Sequence, residues 1–209
     1  MARYGRIDSD YGRRLRLTAD QADGPVYMLN LTKFAPGNPA AFDTHDGSGR
    51  YAASSYAPIP LLASVGAALC FVAEVVAGSA NWDRVAIVSY PTRASFLDLA
   101  GRPDFQAWHA RKQAGVLLTS VLGMLPADGL PAGEGLRRAL LELWNGTVPA
   151  VVADGPATAF DVEGTIIGDG RQWSGVRYTA IAAGTALPLH RPRPDYQALL
   201  LEPRISRWR

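Results

Sequence analysis

The hexapeptide Arg102-Pro103-Asp104-Phe105-Gln106-Ala107 recurs downstream as Arg193-Pro194-Asp195-Tyr196-Gln197-Ala198. The same displacement carries Trp82 onto Trp173 and Val85 onto Val176. Several identities at one register are the mark of a repeated structural unit, and a chain made of two such units has to bury their apolar faces together. A longer displacement relates Met28-Leu29-Asn30-Leu31 to Leu140-Leu141-Glu142-Leu143. The second copy is therefore shorter between its first two strands. Its first helix is expected to be shortened or missing, within residues 147–159.

The first copy reads as alternating strands and helices. Residues 25–34 (PVYMLNLTKF) are apolar and β-rich, a buried strand. Residues 37–49 are a loop of Gly, Pro, Asp and Asn. A helix is expected over 50–65, kinked by Pro58 and Pro60. Strands over 67–76 and 82–90 flank the turn at 78–81 and make a hairpin. A helix over about 92–99 breaks at Gly101, and Pro103 opens the next, to residue 115. Residues 117–125 form a last apolar strand. The order is β-α-β-β-α-β, the ferredoxin-like pattern. The chain divides into a polar extension over 1–24, lobe one over 25–130, and a degenerate lobe two over 136–209.

Composition excludes several classes. Apolar residues are 48% and charged residues 19% of the 209, so a packed core is attainable. The net charge of +2 and the shortness of the Arg13, Arg14, Arg16 group give no nucleic-acid track. Lys33 and Lys112 are the lysines, every other basic side chain being arginine; the bias reads as a GC-rich genome. Cys70, alone and inside an apolar run, is a small buried hydrophobe with no disulfide partner. No secretory h-region and no membrane-spanning run is visible, so a cytoplasmic protein without membrane partners is expected. No phosphate loop, nucleophile elbow, HExxH or Rossmann signature is present. His45, His109 and His190 share no metal spacing, and no metal is expected.

The segments YMLNLTKF (27–34), SGRYAASSYAPIPLLASVGA (48–67) and WDRVAIVSYPTRASFLDLAGRPDFQAWHARKQAG (82–115) together resemble a bacterial family of unknown function in the dimeric α/β barrel superfamily. That superfamily includes antibiotic-biosynthesis monooxygenases, polyketide-tailoring enzymes and chlorite dismutase-like proteins. The resemblance covers residues 25–125 and fragments of 136–209. It implies an α+β fold in which two ferredoxin-like units form an intramolecular dimeric α/β barrel. It also implies a pocket between sheet and helices in lobe one. The chain would then be a monomer acting as an internal pseudo-dimer, or a further homodimer.

Polar residues on elements expected to line that pocket are the candidates for chemistry. His109, four after Phe105, lies on the sheet-facing side of its helix; a neutral imidazole can take a proton from an acidic carbon or phenol. The alternative is a helix-edge histidine bonded to a backbone carbonyl. Glu74, in an apolar strand, is either a base or an anchor for Arg111, since unpaired burial is costly. Asn30 is placed to orient a carbonyl or hold an enolate, with Glu142 at the matching position. Arg50, Tyr51, Ser55 and Tyr56 lead into the first helix, where aromatic hydroxyls suit planar, oxygenated ligands. Phe71, Phe96, Phe105 and Trp108 are expected as apolar walls. Trp82 and Trp173, and the helix-opening Arg102, Asp104, Arg193 and Asp195, read as structural. These residues, with the resemblance, suggest an enzyme on a small aromatic or polyketide-like substrate, performing cofactor-independent oxygenation, cyclisation or isomerisation through an enolate. The alternative is a non-catalytic small-ligand binder or scaffold. Haem, ligated by His190 or His109, is the remaining cofactor possibility.

Overall fold

The computed structural model describes residues 6–21, 23–36, 58–78, 80–131, 137–147, 155–182 and 193–208. Among them lie nine strands: β1 (Arg6–Ile7), β2 (Val26–Phe34), β3 (Ala68–Gly78), β4 (Arg84–Tyr90), β5 (Val116–Pro126), β6 (Ala139–Trp144), β7 (Ala157–Gly168), β8 (Gly175–Ala180) and β9 (Tyr196–Ser206). The helices are α1 (Ser9–Gln21), α2 (Ile59–Ala63), α3 (Arg93–Gly101) and α4 (Pro103–Ala114).

The strands make one sheet in the order β7-β5-β2-β4-β3-β9-β6-β8, and β8 returns to pair with β7. Every ladder is antiparallel. β1 adds two residues to the free stretch of β7. The result is a closed eight-stranded β-barrel, which overturns the expected α+β fold of two ferredoxin-like units and the dimeric α/β barrel reading. The physical reason lies in the edges. The half containing β2–β5 would end at β3 and β5, each with a row of unpaired N–H and C=O groups. Instead β3 pairs with β9, where Val72 faces Ile205, and β5 with β7, where Gly123 faces Gly164. Closure removes both exposed edges.

The helix content differs too. No helix is described within residues 137–208. The Arg-Pro-Asp motif that opens α4 stands before β9 in its second occurrence, so residues 196–206 are strand throughout. In both places the arginine pairs with the aspartate two residues on, Arg102 with Asp104 at 2.8 Å and Arg193 with Asp195 at 2.7 Å. The shared motif is thus a local turn. The residues after the turn decide between helix and strand: QAWHARKQ continues a polar helix, whereas QALLLEP is a run fit for burial on both sheet faces. Residues 6–21, expected as a plain extension, hold β1 and α1, and Tyr11 and Leu15 of α1 are fully buried. Asp8 caps α1 by accepting from the amides of Asp10 and Tyr11.

Alternation divides the strands into an inner and an outer face. Tyr27, Leu29 and Leu31 of β2 join Phe71, Ile87, Leu122, Leu141, Val176 and Leu199 inside the barrel. An eight-stranded barrel has an interior that side chains can fill. Here Phe71, Phe160 and Tyr178 surround Trp208, whose ring lies 5.6 Å from that of Phe71. Trp82 and Trp173 belong to the same interior cluster, and Trp82 donates to Gln197 Oε1 at 3.0 Å. Cys70 is free and buried. Val26, Met28, Val72, Ala86 and Val88 face outward, under the helices. No helix among the described residues is long and apolar enough to cross a membrane.

α1 docks through its tyrosine. The Tyr11 ring lies across Gly123 of β5 and Gly164 of β7, where a Cβ on either would overlap it. Its hydroxyl donates to Glu163 at 3.0 Å, and Arg93 of α3 pairs with the same carboxylate at 2.7 Å. Gly164→Ala is expected to cost about 1–3 kcal/mol by overpacking. Chemical denaturation should show that cost shrinking in a Tyr11→Ala background, because the clash partner is gone.

Candidate functional site

α3 and α4 are set by strong local signals. Thr92 and Ser95 form a reciprocal capping box at the start of α3. The Asp23 carboxylate accepts from the amides of Arg93 and Ala94 at the same end. Arg102 is extended (φ −76°, ψ 135°), as the residue before Pro103 must be, and so separates the two helices. α4 then crosses the outer face of β2, β4 and β5. Phe105, Trp108, His109 and Lys112 follow the spacing of one helical face, and that face looks onto the sheet.

Between α3, α4 and the sheet lies a cavity of about 350 Å³, within the size range of small-molecule sites. Its floor is Met28, Ala86, Val88, Val121 and Ile167, and Phe96, Phe105 and Trp108 wall it. Tyr90 stacks edge-on against Phe96 at 5.1 Å. Phe105 lies 5.8 Å from Trp108 and 6.3 Å from the His109 ring. Asn30 is the polar residue of the floor, and its Nδ2 donates to the Met28 carbonyl at 3.0 Å. That bond turns the amide so that its Oδ1 remains available to a ligand.

Two basic groups share the cavity. Burial holds the His109 imidazole below its ordinary range, and the neighbouring Lys112 charge adds to the effect. Burial also pushes the Lys112 ammonium down to about 8. Its Nζ sits 5.7 Å from the Trp108 ring centroid, a cation–π contact. No Asp, Glu or Arg lies among the described residues lining the cavity. His109 is therefore neutral at pH 7 and Lys112 mostly protonated.

The sequence-derived candidates divide clearly. Asn30, Phe96, Phe105, Trp108 and His109 are brought together. Phe71 is inside the barrel, on the opposite sheet face. Glu74 pairs with Arg84 on the adjacent strand at 2.8 Å, not with Arg111, and neither Glu74 nor Arg111 lines the cavity. Arg84 stacks 5.0 Å over Phe34. Arg50, Tyr51, Ser55 and Tyr56, like His45 and His190, lie outside the described residues. Glu142 is buried with Arg177 at 2.7 Å and accepts from Tyr196 at 2.7 Å, a satisfied structural cluster. Sequence reasoning missed Lys112 and Tyr90. Lys112 had a signal, its position three residues beyond His109 on the face that begins at Phe105. No group of three or more His, Cys, Asp or Glu side chains able to hold a metal occurs among the described residues.

Fold and site together define a closed antiparallel barrel with a helix-roofed cavity on its outer wall. A similar chain of known structure is RPA0582, a protein of unknown function from Rhodopseudomonas palustris. It is 25% identical, with a TM-score of 0.42, over 57% of this chain and 95% of that one. The methylated form of RPA0582 gives 24% identity and the same TM-score, over 59% and 94%. No family model and no curated protein matches the chain.

Lys112 is half-buried, and the desolvation of its ammonium makes a pH signature. The unfolded chain holds this proton up to about 10.5 and the folded chain only to about 8. Between those values the unfolded state binds more protons, so stability rises with pH. Urea midpoints at pH 8 and pH 10 should show a gain in the wild type that Lys112→Met lacks. Equal changes in the two proteins would refute the burial of the charge.

Proposed function

We propose that the protein is a small-molecule tailoring enzyme that removes a proton from an aromatic or polyketide-like carbonyl compound in the α3–α4 cavity. The observation that carries this reading is the pairing, in one apolar cavity, of a neutral imidazole with an ammonium that has no acidic neighbour among the described lining residues. His109 takes a proton from the carbon next to the carbonyl, since a base near working pH is the efficient one. The negative charge that develops on the carbonyl oxygen meets Lys112, in a site with few other polar groups to screen it. Phe96, Phe105 and Trp108 bind the aromatic body through apolar burial and ring contacts. Asn30 offers its Oδ1 to a hydroxyl or protonated group of the ligand. The enolate so formed leads to isomerisation, cyclisation or cofactor-independent oxygenation. Glu74, expected as a base or an anchor, is left to its partner Arg84.

The reading requires no haem or metal and no nucleic-acid or membrane partner. It places the enzyme in the cytoplasm, where a lone buried thiol such as Cys70 is at home. Since one chain closes the barrel, a monomer suffices, and a homodimer is compatible with it.

The aromatic ketone α-tetralone serves as a probe. In deuterated buffer the protein should accelerate exchange at the carbon beside the carbonyl, followed by NMR. His109→Ala should lower that acceleration about 100-fold or more, with binding, read from tryptophan fluorescence, changed only a few-fold. Glu74→Gln should leave both intact. Loss of binding and exchange in equal measure in His109→Ala would favour a non-catalytic ligand-binding protein.

A further inference from the structure

We propose that Lys112 is a covalent carbonyl-capturing residue, forming an imine with an aromatic ketone held against Trp108 and Phe105. The inference rests on the proton-abstraction reading above and keeps His109 as its base, but replaces the charge contact between Lys112 and the carbonyl oxygen by a covalent bond to the carbonyl carbon, through which that proton is made acidic.

The choice of side chain is itself informative. The chain carries 21 lysines and arginines together, of which Lys33 and Lys112 are the lysines. Lys33 is committed to Asp83 by an ion pair at 2.6 Å. The other stands in the cavity, with a cation–π contact to Trp108 and no carboxylate among the described lining residues. Arginine provides charge as well as lysine does but cannot lose its proton in a protein, whereas lysine can. A chain that uses arginine nearly everywhere thus presents an amine at the position where a nucleophile is useful. The reading of the lysine scarcity as nucleotide composition accounts for the arginines and leaves this placement unexplained.

The surroundings favour the same role. Amine nucleophiles are activated by removal from water into an apolar pocket or by a neighbouring cation. Burial supplies the first here. Besides Lys112, the titratable groups among the described lining residues are His109 on the same helix and Tyr90 on β4; β2, β5, β7, α2 and α3 contribute none. With its proton held only to about 8, roughly a tenth of Lys112 is uncharged at pH 7, against a few parts in ten thousand for a solvent-exposed lysine.

The chemistry balances without an oxidant or reductant. The neutral Nζ attacks the carbonyl carbon, the C=O electron pair moves to oxygen, and oxygen takes a proton from solvent while the nitrogen keeps both of its own. Loss of water, formed from that hydroxyl and one of the two nitrogen protons, leaves a protonated imine. Its positive nitrogen draws electrons from the adjacent C–H bond, whose proton passes to His109 and leaves an enamine. Return of a proton to carbon and attack by water release the carbonyl compound and the free amine.

Two measurements test this on the full-length protein. 2-Naphthaldehyde with sodium cyanoborohydride at neutral pH should yield a stable adduct on Lys112, mapped by peptide mass spectrometry, at least about tenfold ahead of Lys33 and of the terminal amine. Lys112→Arg keeps the charge and removes the nucleophile. It should abolish the adduct and reduce α-tetralone exchange about 100-fold or more, with folding confirmed by circular dichroism. An adduct spread evenly over the amines, or exchange retained in Lys112→Arg, overturns imine formation. If exchange persists and depends on His109, the proton-abstraction reading survives that failure. Absence of both binding and exchange in the wild type sinks the two together.

Discussion

Closing eight strands into a barrel decides where a ligand can sit. At this strand number the interior is only wide enough for the inward side chains, and here Phe71, Phe160, Tyr178 and Trp208 occupy it. Free space has to be found outside, on the convex face, wherever an element stands off from the sheet. α1 does not stand off, because the Tyr11 ring rests directly on Gly123 and Gly164. α3 and α4 do, because Arg102 breaks them apart and α4 presents bulky rings to the sheet at Phe105 and Trp108. The cavity is the gap that results.

The charges on the outer wall show why that gap is chemically unusual. Buried ions are tolerated when paired and hydrogen-bonded. Arg93 has Glu163, Arg84 has Glu74, and Arg177 has Glu142, all in close contact. Each arginine completes its carboxylate and leaves nothing over for a ligand. Lys112 meets a ring face and an imidazole instead. A desolvated cation with no anion among the described lining residues is an energetic cost to the empty protein, and a ligand that supplies a negative charge or accepts the nitrogen's electron pair offsets it.

The strands of residues 25–126 and the two helices after Pro91 were legible because local signals bound them, whereas of the helix expected over 50–65 the described part is Ile59–Ala63, and the loop expected over 37–49 lies outside the described residues. Apolar runs ending at Gly24, Gly66 and Pro91 delimit strands, and Thr92 and Pro103 mark the helix starts. α1 was not legible, since Tyr11 and Leu15 are the apolar pair that anchors an otherwise polar segment. Closure was not legible either: the β3–β9 and β5–β7 ladders join residues far apart in sequence and leave no local pattern. The repeated Arg-Pro-Asp motif misled because an ion-paired turn is compatible with a helix or a strand after it. In the site, His109, Phe105 and Trp108 followed from helical spacing. Lys112 was hidden by the same composition bias that, against the structure, makes it conspicuous.

The two halves of the barrel use one pair of positions in opposite ways. β2 lies between β5 and β4 as β6 lies between β9 and β8, the fourth and third strands of their respective halves. On the outward faces Asn30 opposes Ala86 in the first half, and Glu142 opposes Arg177 in the second. Glutamate and arginine of that size meet each other, gather Tyr196 and Trp144, and fill the wall. Asparagine and alanine are too short to meet, and the space between them and α4 stays open. The pair that is joined contributes to stability and holds its charges out of chemistry. The pair that is not joined leaves an open floor beneath α3 and α4, so short side chains at these two positions and a helical roof together make the cavity in the first half, whereas no helix is described over the second.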